Sequence, residues 1–283
     1  MPKMKNGGMR KGKMRVVLGI DAAWTLSEPS GVALAAEGTK GWRLIAVASS
    51  YERFQALADE RQHAEIRQSG SSPDVPALLD AASVLCGRPA DLIAVDMPLA
   101  HTPIIGRRAS DNAVSRAYGG RKCGTHSPST SRPGTISDDL RKGFEKAGYP
   151  LRTSDCAGRG LIEVYPHPAL LELAGAKERL TYKASKVRSY WPSLLPVQRR
   201  ANLYRQWTEI IALLENEIAG ATVALPELEA TASGQQVKAF EDSLDAVVCV
   251  WIGVCALEGR AVPFGDQDSA IWIPTSRMAA LSA

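Results

Sequence analysis

The chain has 283 residues, 45% of them hydrophobic and 23% charged, with a formal net charge of +4, a globular composition long enough for one large domain with insertions. A secretory signal is not expected, because the first apolar run, Val16 to Ile20, stops at Asp21; a membrane span is not expected either, because Leu244 to Leu257 is shorter than the roughly 18 residues one needs. Five cysteines without regular spacing suit a reducing compartment, so a cytoplasmic protein is the expectation.

In chain order, residues 1–14, dominated by Met, Lys and Gly, read as a disordered basic arm. Three β-like runs follow, Arg15 to Ala22, Gly31 to Ala36 and Trp42 to Ser49; their short spacing predicts an antiparallel meander. Tyr51 to Gln68 and Val75 to Cys86 have helical composition, the second with Ala77, Leu78, Ala81, Ala82 and Leu85 on one side. Leu92 to Val95 is a short continuous apolar run, the signature of a strand covered on both faces, and it ends at Asp96-Met97-Pro98. Residues 99–160 are rich in Ser, Gly, Pro and Arg and read as an insertion with one helix, Ile136 to Ala147.

The core resumes with a strand at Leu161 to Tyr165 and a helix from Pro168 to about Ala174. A second insertion spans residues 175–233 and contains a helix carrying Tyr204 and Trp207. Val237 to Leu257 is a strongly apolar helix, Ala270 to Ile273 a last strand, and residues 275–283 a tail. One domain over residues 15–274 is therefore expected.

Charge is uneven along this plan. Residues 1–15 hold six basic residues and no acid, and residues 177–205 hold eight basic residues against Glu178 alone. Residues 100–160 hold eleven basic against five acidic, so the rest of the chain is acidic. Basic insertions around an acidic centre suit a polyanionic substrate; solvated surface charge is the competing explanation.

Four acids stand where apolar elements end or begin: Asp21, Asp96, Asp242 and Asp245. An unpaired buried carboxylate costs several kcal/mol or more, so something must compensate. An oxygen-only donor set of this kind is what Mg²⁺ or Mn²⁺ prefers. Asp242 and Asp245, at i and i+3, share a helix face, although Asp242 also fits a helix start and Asp96 a turn. Glu163 alternates with Ile162 and Val164 and is a fifth catalytic candidate. Without metal these acids repel, which predicts at least one raised pKa.

Arg107 and Arg108 follow the fourth strand and are candidate phosphate forks, with a local ion pair to Asp111 as the alternative. Tyr182 and Lys183, with Tyr190 and Trp191, alternate ring and cation as in grooves for single-stranded nucleic acid; Tyr204 and Trp207 are expected in the core. Cys123, His126 and Cys156 give three of the four ligands that structural zinc takes, one too few. His167, between two prolines, is expected to be a hydrogen-bonded structural histidine. No Ser-His-Asp order, Walker loop or dinucleotide fingerprint is present.

Gly19-Ile20-Asp21-Ala22-Ala23, Ala94-Val95-Asp96-Met97-Pro98-Leu99, Glu163-Val164-Tyr165-Pro166-His167-Pro168, Tyr182-Lys183 and Asp242-Ser243-Leu244-Asp245-Ala246 occur in that order between Met14 and Pro274. In this the chain resembles the uncharacterised family "domain of unknown function 429", predicted nucleases with a ribonuclease H-like fold. The resemblance implies an α/β protein with a mixed five-stranded sheet flanked by helices and two insertions. It further implies Asp21 on the central strand, bridging two metal ions, Asp96 on its neighbour, and Asp242 and Asp245 as the terminal acidic pair. The expectation is a metal-dependent nuclease acting on DNA or RNA, with Asp21, Asp96 and Asp245 as ligands to Mg²⁺ or Mn²⁺. An actin-like or sugar-kinase-like phosphotransferase and a non-catalytic nucleic-acid-binding module are the alternatives; Ala22, Ala23 and Trp24 after Asp21 argue against the phosphate loop of the first.

Overall fold

The structure, a computed structural model, describes residues 14–59 and 70–275. Most of the arm, the end of the expected Tyr51 to Gln68 helix and nearly all of the tail lie outside them. Aliphatic runs form β1 (Val16–Asp21), β2 (Gly31–Gly38), β3 (Gly41–Ala48), β4 (Leu92–Asp96) and β5 (Gly160–Val164); β6 (Ala261–Gly265) and β7 (Ala270–Pro274) follow near the C-terminus. They make one mixed sheet in the order β3-β2-β1-β4-β5-β7-β6. The first three strands form the antiparallel meander, β1, β4, β5 and β7 run parallel, and β6 returns antiparallel along β7.

The expected five strands are thus seven among the described residues. β7, expected as a last strand, joins the sheet beside β5, and β6, Ala-Val-Pro-Phe-Gly, was missed; it lies at the sheet edge, where proline is tolerated because no neighbour needs its missing N–H.

Nine α-helical segments flank the sheet among the described residues: α1 (Tyr51–Ala58), α2 (Val75–Cys86), α3 (Ala109–Tyr118), α4 (Ile136–Lys146), α5 (Pro166–Ala174), α6 (Val187–Tyr190), α7 (Pro196–Glu215), α8 (Ala221–Ala224) and α9 (Gly234–Leu257). One face of the sheet packs on α1, α2 and α4 through Phe54, Leu78 and Phe144, and the other on α5, α7 and α9 through Leu170, Trp207 and Val247. Local sequence sets several helix starts. Asp74 accepts from the Ala77 N–H at α2, and at α9 Ser233 and Gln236 exchange hydrogen bonds in a capping box. Among the described residues no helix is long and apolar enough to cross a membrane.

The first insertion contains a second helix, α3, that its composition hides, since Ser, Asp and Asn are weak helix formers. Its start is set by Asp111, whose carboxylate accepts the Arg108 backbone N–H at 2.9 Å, and its inner side by Val114 and Tyr118.

Candidate functional site

Pleating decides which acids meet. In β1, Val17 packs against α9 and Leu18 against the opposite layer, so Asp21, in phase with Val17, faces α9. The same alternation in β4, with Leu92 and Ala94 toward α9, places Asp96 on that face. Asp21 and Asp96 are register partners across the parallel β1–β4 pair, which sets their Cα atoms about 4.8 Å apart. Neither side chain makes a hydrogen bond or ion pair with another described residue.

Helix α9 reaches these strand ends because two glycines let it. A Cβ on Gly19 would lie 2.5 Å from the Val250 nitrogen and 2.6 Å from the Ala246 oxygen, and one on Gly31 would lie 2.0 Å from the Asp242 oxygen. Any side chain at either position would lift the helix off the sheet. Its acids then stand over Asp21 and Asp96.

Those acids are not equivalent. Asp245 is fully buried and both its oxygens are engaged: the Tyr182 hydroxyl donates to Oδ1 at 2.9 Å and the Lys183 ammonium to Oδ2. Lys183 also lies 3.7 Å from Glu241, whose other oxygen accepts the Ala184 N–H at 2.5 Å. Asp242 accepts from Lys238 through Oδ1, while its buried Oδ2 has no partner. The expected metal ligand Asp245 is therefore occupied by Tyr182 and Lys183, and Asp242 offers the freer oxygen. Tyr182 and Lys183, two of the four residues expected to contact substrate, are turned toward the helix acids. The Tyr182 backbone is pinned there by α7, where Trp207 Nε1 donates to the Tyr182 carbonyl at 2.7 Å.

The electrostatics follow from this crowding. Burial, and then the charge of Asp245, raise Asp21 well above the carboxylate range, with Lys183 opposing. Burial pushes Asp96 up to about 8, again against Lys183, and Asp242 to about 6 against Lys238. The expected raised pKa is present in Asp21, Asp96 and Asp242, and burial raises Glu241 and, to about 7, Glu163 as well. Burial disfavours the Lys183 cation, but Asp245, with Glu241 and Asp21 among the groups that add to it, outweighs it and holds the ammonium charged.

Glu163 is on the other side of the sheet. Its register partner is Val95, one residue out of phase with Asp96, so its side chain turns from α9 to the start of α3, where it lines a small cleft that Asp96 also borders. There Arg108 forks onto it at 2.6 and 2.7 Å, and its Oε2 also accepts the Leu99 N–H at 2.8 Å. Arg108 bonds Asp111 as well. Burial works against this guanidinium, and Glu163 and Asp111 outweigh it, so it is held charged. The catalytic expectation for Glu163 and the phosphate expectation for Arg108 give way to a buried ion pair. Arg107 is exposed but bonded to Asn112, Ser127, Ser115 and the Asp111 carbonyl, which ties α3 to the following loop.

Asp21, Asp96, Asp242 and Glu241 line a cavity of about 590 Å³, within the range of ligand sites. Trp24, His126, Arg132, His167, Arg179 and Lys183 are among its other lining residues. Glu241, Arg179 and Trp24 were not read as site residues; Glu241 and Trp24 adjoin the Asp242 and Asp21 motifs, which was the available signal, whereas Arg179 has no neighbouring motif. His167 had a signal, the Pro-His-Pro helix start, but departs from expectation: it is buried and its Nδ1 has no partner. Burial holds it well below the usual histidine range, with Lys183, Arg179 and His126 adding to the effect, so the imidazole is neutral.

Cys123 packs in an apolar cluster with Val114 and Leu171, and among the described residues no three His, Cys, Asp or Glu side chains are arranged to hold a metal by themselves. Tyr204 and Trp207 stack in the core as expected, with centroids 5.5 Å apart.

Fold and site together define a mixed α/β protein with a carboxylate-floored cavity at the carboxyl ends of its central parallel strands. A family model described as a protein of unknown function, DUF429, matches residues 19–270, and the chain belongs to that family. No curated protein and no solved structure matches it.

Proposed function

We propose that this protein is a divalent-metal-dependent nuclease built on a ribonuclease H-like core. The observation that carries the reading is the register pair Asp21 and Asp96, two carboxylates with no hydrogen bond or ion pair to a described residue, lining a cavity that basic side chains also line. The strand order β3-β2-β1-β4-β5, with an antiparallel meander beside parallel strands and the acids on β1 and β4, supports the ribonuclease H-like assignment. The close approach of those acids counts against a merely structural role, since unpaired carboxylates side by side destabilise the fold that holds them.

The donor chemistry fits Mg²⁺ or Mn²⁺. Such ions are held by one or two carboxylates, with water and substrate phosphate oxygens filling the other positions, and Asp21 and Asp96 supply that pair, with Asp242 Oδ2 as a further oxygen. A bound ion there supplies activation of water and neutralisation of charge on the phosphate. The chain's own residues do the rest. Lys183 offsets the negative charge gathered by Asp245 and Glu241, and Tyr182 and Lys183 fix the Asp245 carboxylate so that α9 keeps its place. The basic lining residues draw a polyanion toward an otherwise acidic floor.

The test is titration of the wild type and Asp21→Asn with Mg²⁺ and Mn²⁺ by calorimetry, with fluorescent single-stranded, duplex and hybrid oligonucleotides in parallel. Metal binding and cleavage that both disappear in Asp21→Asn support the reading. Cleavage that survives the substitution refutes it.

A further inference from the structure

The cavity is lined by both acidic and basic residues, and the reading above gives the basic ones only the general role of drawing in a polyanion. Arg179, which lines this cavity, sits in the segment between α5 and Tyr182. Arg121 bonds the carbonyls of Ala176 and Lys177, and the Arg179 N–H donates to the Arg121 carbonyl at 2.9 Å, so this backbone is clamped. The Arg179 side chain is not. It makes no ion pair or hydrogen bond with a described residue, and its Nε is buried without a partner. A buried donor left unmade is costly, which is why such groups are normally satisfied.

A second unsatisfied group lines the same cavity. His167 is 7% exposed, lines the cavity, and has an unpartnered Nδ1. It occupies the second position of α5, a nine-residue helix whose N-terminal end favours negative charge. Exposed His126 stands beside it on the cavity. A guanidinium, a helix N-terminus and two imidazoles, with no carboxylate bonded to the arginine, are complementary to a compact dianion.

We propose that Arg179, His167 and the start of α5 form a subsite for a phosphate monoester, separate from the Asp21 and Asp96 floor. The substrate is then a strand end that carries a terminal phosphate, seated so that the adjoining phosphodiester reaches the acids. The cavity, at about 590 Å³, suits an end rather than a continuous double helix. Trp24, over which Arg132 lies at 5.9 Å, offers a ring in the same cavity for the terminal base. What is cleaved rests on the nuclease reading; what is bound does not.

The experiment uses the full chain with metal removed by a chelator. Calorimetry compares thymidine trinucleotides bearing a 5′-phosphate, a 3′-phosphate or neither, together with thymidine monophosphate and inorganic phosphate. A terminal phosphate is expected to tighten binding roughly tenfold or more, the scale of a charge-assisted contact. Arg179→Ala and Arg179→Gln should erase that advantage, and Asp21→Asn should keep it. Equal affinity with and without the phosphate, or an advantage that survives both Arg179 substitutions, overturns the subsite. Thymidine monophosphate binding as tightly as the trinucleotides removes the strand-end assignment. With Mn²⁺ added, a covalently closed single-stranded circle cut as fast as a phosphorylated linear strand also overturns it. Phosphate-dependent binding without any cleavage leaves the subsite standing and removes the nuclease reading instead.

Discussion

Asp96 and Glu163 end neighbouring parallel strands, and one residue of pleat sends them to opposite faces of the sheet and to opposite fates. Glu163 meets a buried arginine fork, a second acid and a backbone N–H, so its charge is matched inside the protein. Asp96 makes no hydrogen bond or ion pair with a described residue; burial and the charges of Asp245 and Glu163 outweigh Lys183, and its charge is left to the cavity. A fold that matches every buried charge it can is organised for stability; one that leaves two adjacent carboxylates unmatched holds unfavourable energy at a site open to ligand. Stability is therefore expected on the Glu163 side and function on the Asp96 side.

The comparison is broken most strongly by Glu163→Gln. Arg108 would keep its buried charge without its main partner, and breaking such a pair costs about 3–5 kcal/mol. Urea unfolding should show that loss, while metal binding per folded molecule stays unchanged. A comparable loss of metal binding would place Glu163 in the site after all.

Asp21→Asn should do the reverse. Metal-dependent cleavage is expected to fall by at least about 100-fold, the scale of one lost transition-state contact, while the metal-free protein becomes more stable because one repelling carboxylate is gone. A steady-state assay and a melting curve on the same preparation read both effects.

A pH series sharpens the contrast. Asp96 moves from an unfolded value of about 3.9 to about 8 in the fold, so the native state binds more protons through that window. Its contribution favours folding below about pH 4 and is lost as pH rises to about 8. Urea midpoints of chelated protein should record this fall, and Asp96→Asn should flatten it with little change at the acid end. A wild-type slope retained in Asp96→Asn would assign the titration to another group.

The smallest expected effect is that of Tyr182→Phe, which leaves Lys183 on Asp245 but removes the hydroxyl donor at 2.9 Å. A hydrogen bond to a charged acceptor is worth about 1.5 kcal/mol here. The unfolding free energy from denaturant titration should fall by that amount, with metal affinity altered little.

Much of the site was legible along the chain. Asp21 and Asp96 are charges at the ends of apolar runs, and that pattern alone marks strand termini at which a carboxylate must be compensated. The i, i+3 spacing of Asp242 and Asp245 likewise put both on one helix face. What stayed hidden was partner choice. Nothing near Asp245 in sequence announces Lys183, some sixty residues away, and nothing near Glu163 announces Arg108. Arg179 and His167 line one cavity only because α5 and the clamped segment behind it fold back toward the strand ends.

Local physics, written in the residues, determined the β-β-β-helix-β order, the buried central strands, the capped start of α9 and the identity of the acids. The tertiary structure decided which face of the sheet each acid took and whether a cation was waiting there. Alternation within a strand is a short-range property that any stretch of sequence displays. The register between strands, and the glycine-permitted seating of α9 on Gly19 and Gly31, depend on contacts between segments far apart in the chain, and only the packed molecule brings those together.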